Sequence, residues 1–358
     1  MAESQEAEVK ETSAIGKGEG DKSKCRIIVQ GGAYSSRICE HHLSEEYERV
    51  TKTAAQTGYN VMMEGKTAVD AVEAAVSVFE GSEYFNAGVG SALNNFGEVE
   101  CDAMIMDGKR INTGAVMALS RFLHPVRLAR KVMDDGRHCA LSGDGALEFA
   151  REIGYNSFIC NPKKLKGQNP NQTLNIDIEN YETFASHRYN GEPVQESQFG
   201  ETDGNEPLQE SQSYDTVSAV AMDAQEHLAC ATSSGGMAGK RKGRVGDVPL
   251  VGCGGYANEV GTATTTGNGE AIMKLTLARK VVYSMEQGTN AKESSQKALN
   301  EMFSNKIIKC KGGVIAIDKD GNFGIAFNTE VMVWASIKDG DLKFGMYPEN
   351  ETDQHPDE

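Results

Sequence analysis

From residue 161 to residue 213 the chain reads NPKKLKGQNPNQTLNIDIENYETFASHRYNGEPVQESQFGETDGNEPLQESQS. Asn, Gln, Glu, Ser and Pro dominate, and residues able to build a core are few. A structureless tract of this length inside a compact domain is uncommon. It therefore limits what the chain can fold into: a single domain assembled from two halves, with a surface linker between them. Both halves contain strand and helix patterns, so the tract divides one fold rather than separating two domains. The expected division is a disordered N-terminal tail over 1–24, a first part of the domain over 25–160, a flexible linker over 161–215, a second part over 216–347 and an acidic tail over 348–358.

The first half opens with CRIIVQGGA, a short apolar strand entering a glycine turn. In TAVDAVEAAVSVFEG, Thr67 suits an N-cap with Asp70 three residues on, and Val69, Val72, Ala75, Val76 and Phe79 share one helical face. CDAMIMDG and GAVMAL read as strands, PVRLARKVMDD and GALEFAREIG as helices. After the linker, TVSAVAMD and HLACATS are spaced as a hairpin, as are GGVIAID and NFGIAFN around Lys-Asp-Gly. GEAIMKLTLARKVVYSMEQG reads as one strong helix, with Ile272, Met273, Leu277, Val281 and Met285 on related faces.

Charge and cysteine usage exclude several roles. The formal net charge is −16, which argues against nucleic acid as a partner, since that affinity rests on Lys and Arg neutralising phosphates. Apolar runs are too short to span a bilayer, and the first 24 residues have no apolar segment of a secretory signal. The eight cysteines are scattered without a C-x-x-C pair, which predicts free thiols in a reducing compartment, the cytoplasm. His41-His42 has no zinc-site context. The 39 glycines cluster in QGGA, FNAGVGS, SSGGMAGK, GCGG and TGNGE, which suggests backbone-built turns around a site.

The linker ends in SYDTVSAVAMD, with Thr216 at the mouth of a buried strand. A threonine hydroxyl is a poor nucleophile without a base. A threonine at a chain start carries its own base, since an α-amino group titrates near 7.7–8.0, roughly, and is partly neutral near pH 7. An internal threonine gains that amine only if the preceding peptide bond is cut. By itself Asp-Thr is a common dipeptide, and a strand-starting threonine is the plainer reading.

The downstream motifs change this. The ordered set DTV, ATSSGG, GRVGD, GCGGYANE and TTTGNGE, with GGA, AVDAVEAAV, YFNAGVGSALNNFGEVECDAMIMDG and GAVMAL before it, resembles the N-terminal nucleophile hydrolases of the plant-type asparaginase, or isoaspartyl peptidase, group. The resemblance covers roughly 26–160 and 214–345. It implies an α/β fold, a four-layer αββα sandwich with two mainly antiparallel sheets between helical layers. It also implies self-cleavage between Asp215 and Thr216. Thr216 is then nucleophile and, through its freed amine, base. The Thr266 hydroxyl and the Gly267 N–H form the oxyanion hole. Arg244 takes the substrate α-carboxylate, Asp247 the α-ammonium, helped by the Gly269 carbonyl. Ser234 sits beside the nucleophile, and Asn86 lies at the site. No organic cofactor or catalytic metal is implied; a structural sodium ion held by backbone carbonyls of the loop before Asn86 is. The implied partners are a small amino acid or dipeptide substrate and a second copy, in a homodimer of αβ units.

The sequence departs from the family pattern at Gln30 and Asn268, where histidine is usual, and at Ser234, where threonine is usual. Gln30 bears on maturation. The glycosylasparaginase branch also carries TGNG, and the threonine aspartase branch carries related motifs, so both stay open beside the preferred reading. An unprocessed relative with a binding role is a further alternative. Asp247, a carboxylate suited to a free ammonium, favours small substrates.

Overall fold

The computed structural model describes residues 20–34, 41–120, 122–155 and 216–348. The expected linker, Asp215, most of the N-terminal tail, the last ten residues and the side chains of His41 and His42 lie outside the described residues.

Twelve strands form two sheets. The larger has the order β12-β11-β1-β5-β6-β2-β3-β4, where β1 is Arg26–Tyr34, β2 Cys101–Asp107, β3 Asn112–Leu119, β4 Ala140–Ser142, β5 Val217–Met222, β6 Leu228–Ser234, β11 Val331–Lys338 and β12 Asp341–Gly345. The smaller has the order β10-β9-β8-β7, with β7 Gly255–Ala257, β8 Gly261–Gly267, β9 Gly312–Asp318 and β10 Phe323–Phe327. Every pairing is antiparallel except β3 with β4.

The helices are α1 (His41–Met63), α2 (Ala68–Glu80), α3 (Pro125–Asp135), α4 (Gly143–Glu152), α5 (Gly269–Leu275), α6 (Leu277–Glu286) and α7 (Ala291–Ser304). The first three cover the outer face of the large sheet, and α6 and α7 cover the small one. The result is helices, sheet, sheet, helices, as the resemblance implies.

Strand periodicity sets these layers. Successive side chains of a strand point to opposite faces. In β1, Ile27 and Val29 face α1 and α2, while Ile28 faces the second sheet. In β2, Ala103 and Ile105 face the helices, and Met104 and Met106 face inward. In β9, Ile315 and Ile317 meet the large sheet, whereas Val314 and Ala316 meet α6 and α7. Strands covered on both sides are apolar at consecutive positions, which explains runs such as RIIV and GGVIAID.

The capping box of α2 is present: Thr67 Oγ1 accepts from the Asp70 N–H at 3.2 Å, and Asp70 Oδ2 accepts from the Thr67 N–H at 3.1 Å. Both expected hairpins form. One expectation fails. The single helix expected over 269–288 is two, broken at Thr276, whose φ of 47° lies in the left-handed region. Neither Gly nor Pro marks the break. Its cause is tertiary: the N–H groups of Ala278 and Arg279 donate to the carbonyls of Cys253 and Gly252, at 3.2 and 2.8 Å, which docks the start of α6 on the loop before β7.

Candidate active site

The two halves meet where β5, β6 and β2 lie side by side. Val217 pairs with Ser233, so the register carries Thr216 alongside Ser234, and Ser234 in turn pairs with Asp102. Thr216 is 5% exposed at the head of β5. It lines a cleft with Ser234, Arg244, Asp247, Gly267 and Gly269, and with Asp102, Gly236, Met237, Gly246 and Val248. Six of the expected site residues therefore share one cleft, although they come from a strand start, a strand end, a loop and a helix start. Thr266 is fully buried in β8, one residue before the cleft-lining Gly267.

Asn86 meets the cleft through Gly236. Its Nδ2 donates to the Gly236 carbonyl at 2.6 Å, its Oδ1 accepts from the Ala92 N–H at 2.8 Å, and its carbonyl accepts from the Gly235 N–H at 2.8 Å. It shapes the turn after β6 from behind. Gln30 holds the backbone of Thr216: Nε2 donates to the Thr216 carbonyl and to Ser218 Oγ, both at 2.8 Å, and Oε1 accepts from the Gly32 N–H at 2.7 Å. Its amide donor and acceptor are thus spent on the strands flanking the site. Asn268 caps α5, its Oδ1 accepting from the Ala271 N–H at 2.9 Å.

Arg244 lies against glycine. A β-carbon at Gly269 would be 2.9 Å from Arg244 Nη2 and 2.9 Å from Asp247 Oδ1; one at Gly246 would be 2.8 Å from Arg244 Nη1. At those distances a side chain would require Arg244 or Asp247 to shift, so glycine leaves both charged groups where they stand. The Nε and Nη2 edge of Arg244 is occupied by Glu270 of α5, with contacts of 3.0, 2.8 and 2.9 Å.

Asp247 is buried, and its Oδ2 has no hydrogen-bond partner in the protein. Burial pushes its pKa up to about 7; Glu270 and Asp102 add to the rise, while its own backbone N–H and Arg244 oppose it. A buried polar atom without a partner is costly, and an unpaired carboxylate oxygen at the wall of a cleft suits a cationic ligand.

Asp102 and Glu270 were given no role in the sequence. Asp102 Oδ2 accepts from the Gly246 N–H at 3.2 Å and Oδ1 from the Ala118 N–H at 2.8 Å, so β2 and a bulge of β3 brace the Arg244–Asp247 loop. Burial raises the Asp102 pKa and lowers that of the neighbouring Lys240, whose Nζ donates to the Glu100 carbonyl at 2.7 Å. The signal for Asp102 was a lone acid in an apolar strand.

The start of β5, inside the large sheet, thus shares a cleft with a guanidinium and a buried carboxylate that has one unpartnered oxygen. The family model described as asparaginase matches residues 23–345. The isoaspartyl peptidase/L-asparaginase of Danio rerio is 41% identical, covering 90% of this chain and 94% of that protein. That of Homo sapiens is 38% identical, covering 91% and 97%. The chain belongs to the asparaginase family.

Proposed function

We propose that the chain is an amidohydrolase that converts L-asparagine to L-aspartate and ammonia and hydrolyses β-aspartyl dipeptides. The observation that carries this is the opposition of Arg244 and the unpartnered Asp247 Oδ2 in the cleft that Thr216 heads. The relatives' names and the family match support it.

In this reading the bond between Asp215 and Thr216 is cut by the protein itself, which frees the Thr216 amine. That amine takes the hydroxyl proton. Thr216 Oγ1 attacks the side-chain carbonyl carbon, and the oxyanion is held by the Thr266 hydroxyl and the Gly267 N–H. Preorganised donors of this kind contribute about 3 kcal/mol each to such transition states. Ammonia or the amine leaves with a proton, and water releases aspartate from the ester. Arg244 and Asp247 orient the substrate, and the Gly269 carbonyl assists Asp247.

No organic cofactor or catalytic metal enters this scheme. For a structural sodium ion, the loop before and after Asn86 fits: the carbonyl oxygens of Ser82, Glu83 and Phe85 all lie within 3.0 Å of where a Gly90 β-carbon would be, a cradle of oxygens around a bare glycine. Such an ion would fix the loop that carries Asn86. The working form is a cytoplasmic dimer of αβ units. The six described cysteines, all unpaired, accord with a reducing compartment. Among the described residues no helix is long and apolar enough to cross a membrane.

The test is ammonia release from L-asparagine and aspartate release from a β-aspartyl dipeptide, with Thr216→Ala inactive on both. Activity confined to a glycosylasparagine, or to a protein loop containing aspartate, would transfer the chain to one of the other branches. No activity on any of the four would leave a binding role.

A further inference from the structure

Glu270 has no part in the proposed reaction, yet its carboxylate binds the guanidinium of Arg244 through three hydrogen-bond contacts. It opens α5 one residue after Gly269, in a turn capped by Asn268. Its two oxygens take Nε and Nη2 of Arg244. Nη1 shares in none of these bonds and points toward Gly236 and Gly246, where β-carbons would come within 3.2 and 2.8 Å of it. Both glycines line the cleft. The guanidinium is therefore divided: one edge is spent within the protein, and the other is presented where a ligand enters.

Charge gives this division a consequence. Asp247 faces Arg244 from its own loop, Glu270 from α5, Asp102 from β2 and the Cys253 thiol from the loop before β7. Lys240 lies behind Asp102. In the proposed mature chain the Thr216 amine joins them. Three carboxylates thus gather around one arginine and one buried lysine. Glu270 offsets Arg244, so the cleft attracts a bare carboxylate weakly and accepts one best when an ammonium accompanies it.

We propose that Glu270 is a positioning and specificity residue. It locks one edge of Arg244 so that the substrate carboxylate meets only the other, and its charge makes the cleft select substrates that carry an α-ammonium. This rests on the amidohydrolase reading and extends it to the choice between amino acid amides and their deaminated analogues.

The experiment compares kcat/KM for L-asparagine and for succinamate, which lacks the amino group, across pH, in the wild type, Glu270→Gln and Glu270→Asp. Glutamine keeps a hydrogen-bonding side chain for Arg244 and removes the charge; aspartate keeps the charge. The preference for asparagine over succinamate is expected to fall about tenfold in Glu270→Gln. The acid limb of the asparagine profile is expected to move to lower pH, because a like charge beside Asp247 is gone. Glu270→Asp is expected to keep the limb where the wild type has it. Calorimetric binding of L-aspartate and of succinate gives the same ratio for a variant whose turnover is too slow to follow. An unchanged preference and limb in Glu270→Gln, with the wild type active, would overturn the inference and leave the amidohydrolase reading intact. So would an aspartate variant that behaves like the glutamine one. A wild type inactive on both asparagine and a β-aspartyl dipeptide removes the function and this inference together.

Discussion

At the scale of single residues, the role proposed for Asp247 ties activity to pH. To hold an ammonium it must be ionised, yet burial has lifted its pKa to about 7. Asparagine turnover at low substrate is therefore expected to fall as pH drops through about 7, read as the acid limb of kcat/KM. The sign for stability is opposite. A folded-state pKa raised above the unfolded value gives stability that is present at low pH and lost as pH rises through the folded pKa. Asp247→Asn removes that loss, so it should melt higher than the wild type at pH 8 while binding L-aspartate far more weakly. A melting temperature that falls instead would mean the carboxylate is paired, contrary to its unpartnered Oδ2. Gly269→Ala makes a steric test of the same corner. Its β-carbon would enter the space of Arg244 and Asp247, so a rise in KM of at least tenfold, about 1.4 kcal/mol, is expected; unchanged KM would show the two groups can move aside. Arg244, Asp247 and Thr216 were legible because their motifs are ordered in sequence. Glu270 was hidden in plain view: an acid in the first turn of a helix already has an ordinary explanation in the helix dipole. Gln30 was legible as a departure, but only its bonds to the Thr216 carbonyl and Ser218 show what it holds.

At the scale of elements, the strands and the α2 cap could be read because alternation and capping are local signals. The long helix α1 could not: its buried face uses Tyr47, Val50, Ala54, Ala55, Tyr59 and Met62, set among charged residues and small alanines that blunt the pattern. The break at Thr276 was illegible for another reason, since the carbonyls of Gly252 and Cys253 that capture the start of α6 are distant in sequence. A β-branched residue in the left-handed region is strained. Thr276→Gly should therefore stabilise the fold by about 1 kcal/mol, measured by urea unfolding, whereas Thr276→Ala, which keeps a β-carbon, should not. Equal effects of the two would place the cost elsewhere than the backbone.

At the scale of the whole molecule, the strand order bears on what the proposed cut before Thr216 would leave. Strand β5, which Thr216 heads, lies between β1 and β6 of the large sheet, and α2 packs across it. Cleavage before Thr216 would leave both new chains woven through the same sheet and the same cores, so they should separate only on unfolding. The αββα layering followed from the motifs that resemble the family; the position of β5 near the sheet's centre needed the strand order. The most direct measurement is mass spectrometry and N-terminal sequencing of the purified protein after denaturation, beside Thr216→Ala. Two chains, 1–215 and 216–358, with threonine as the new N-terminus, single-chain Thr216→Ala and ammonia from asparagine only in the cut form are expected. A wild type that stays one chain after prolonged incubation, or that releases ammonia without being cut, would contradict Thr216 as an N-terminal nucleophile.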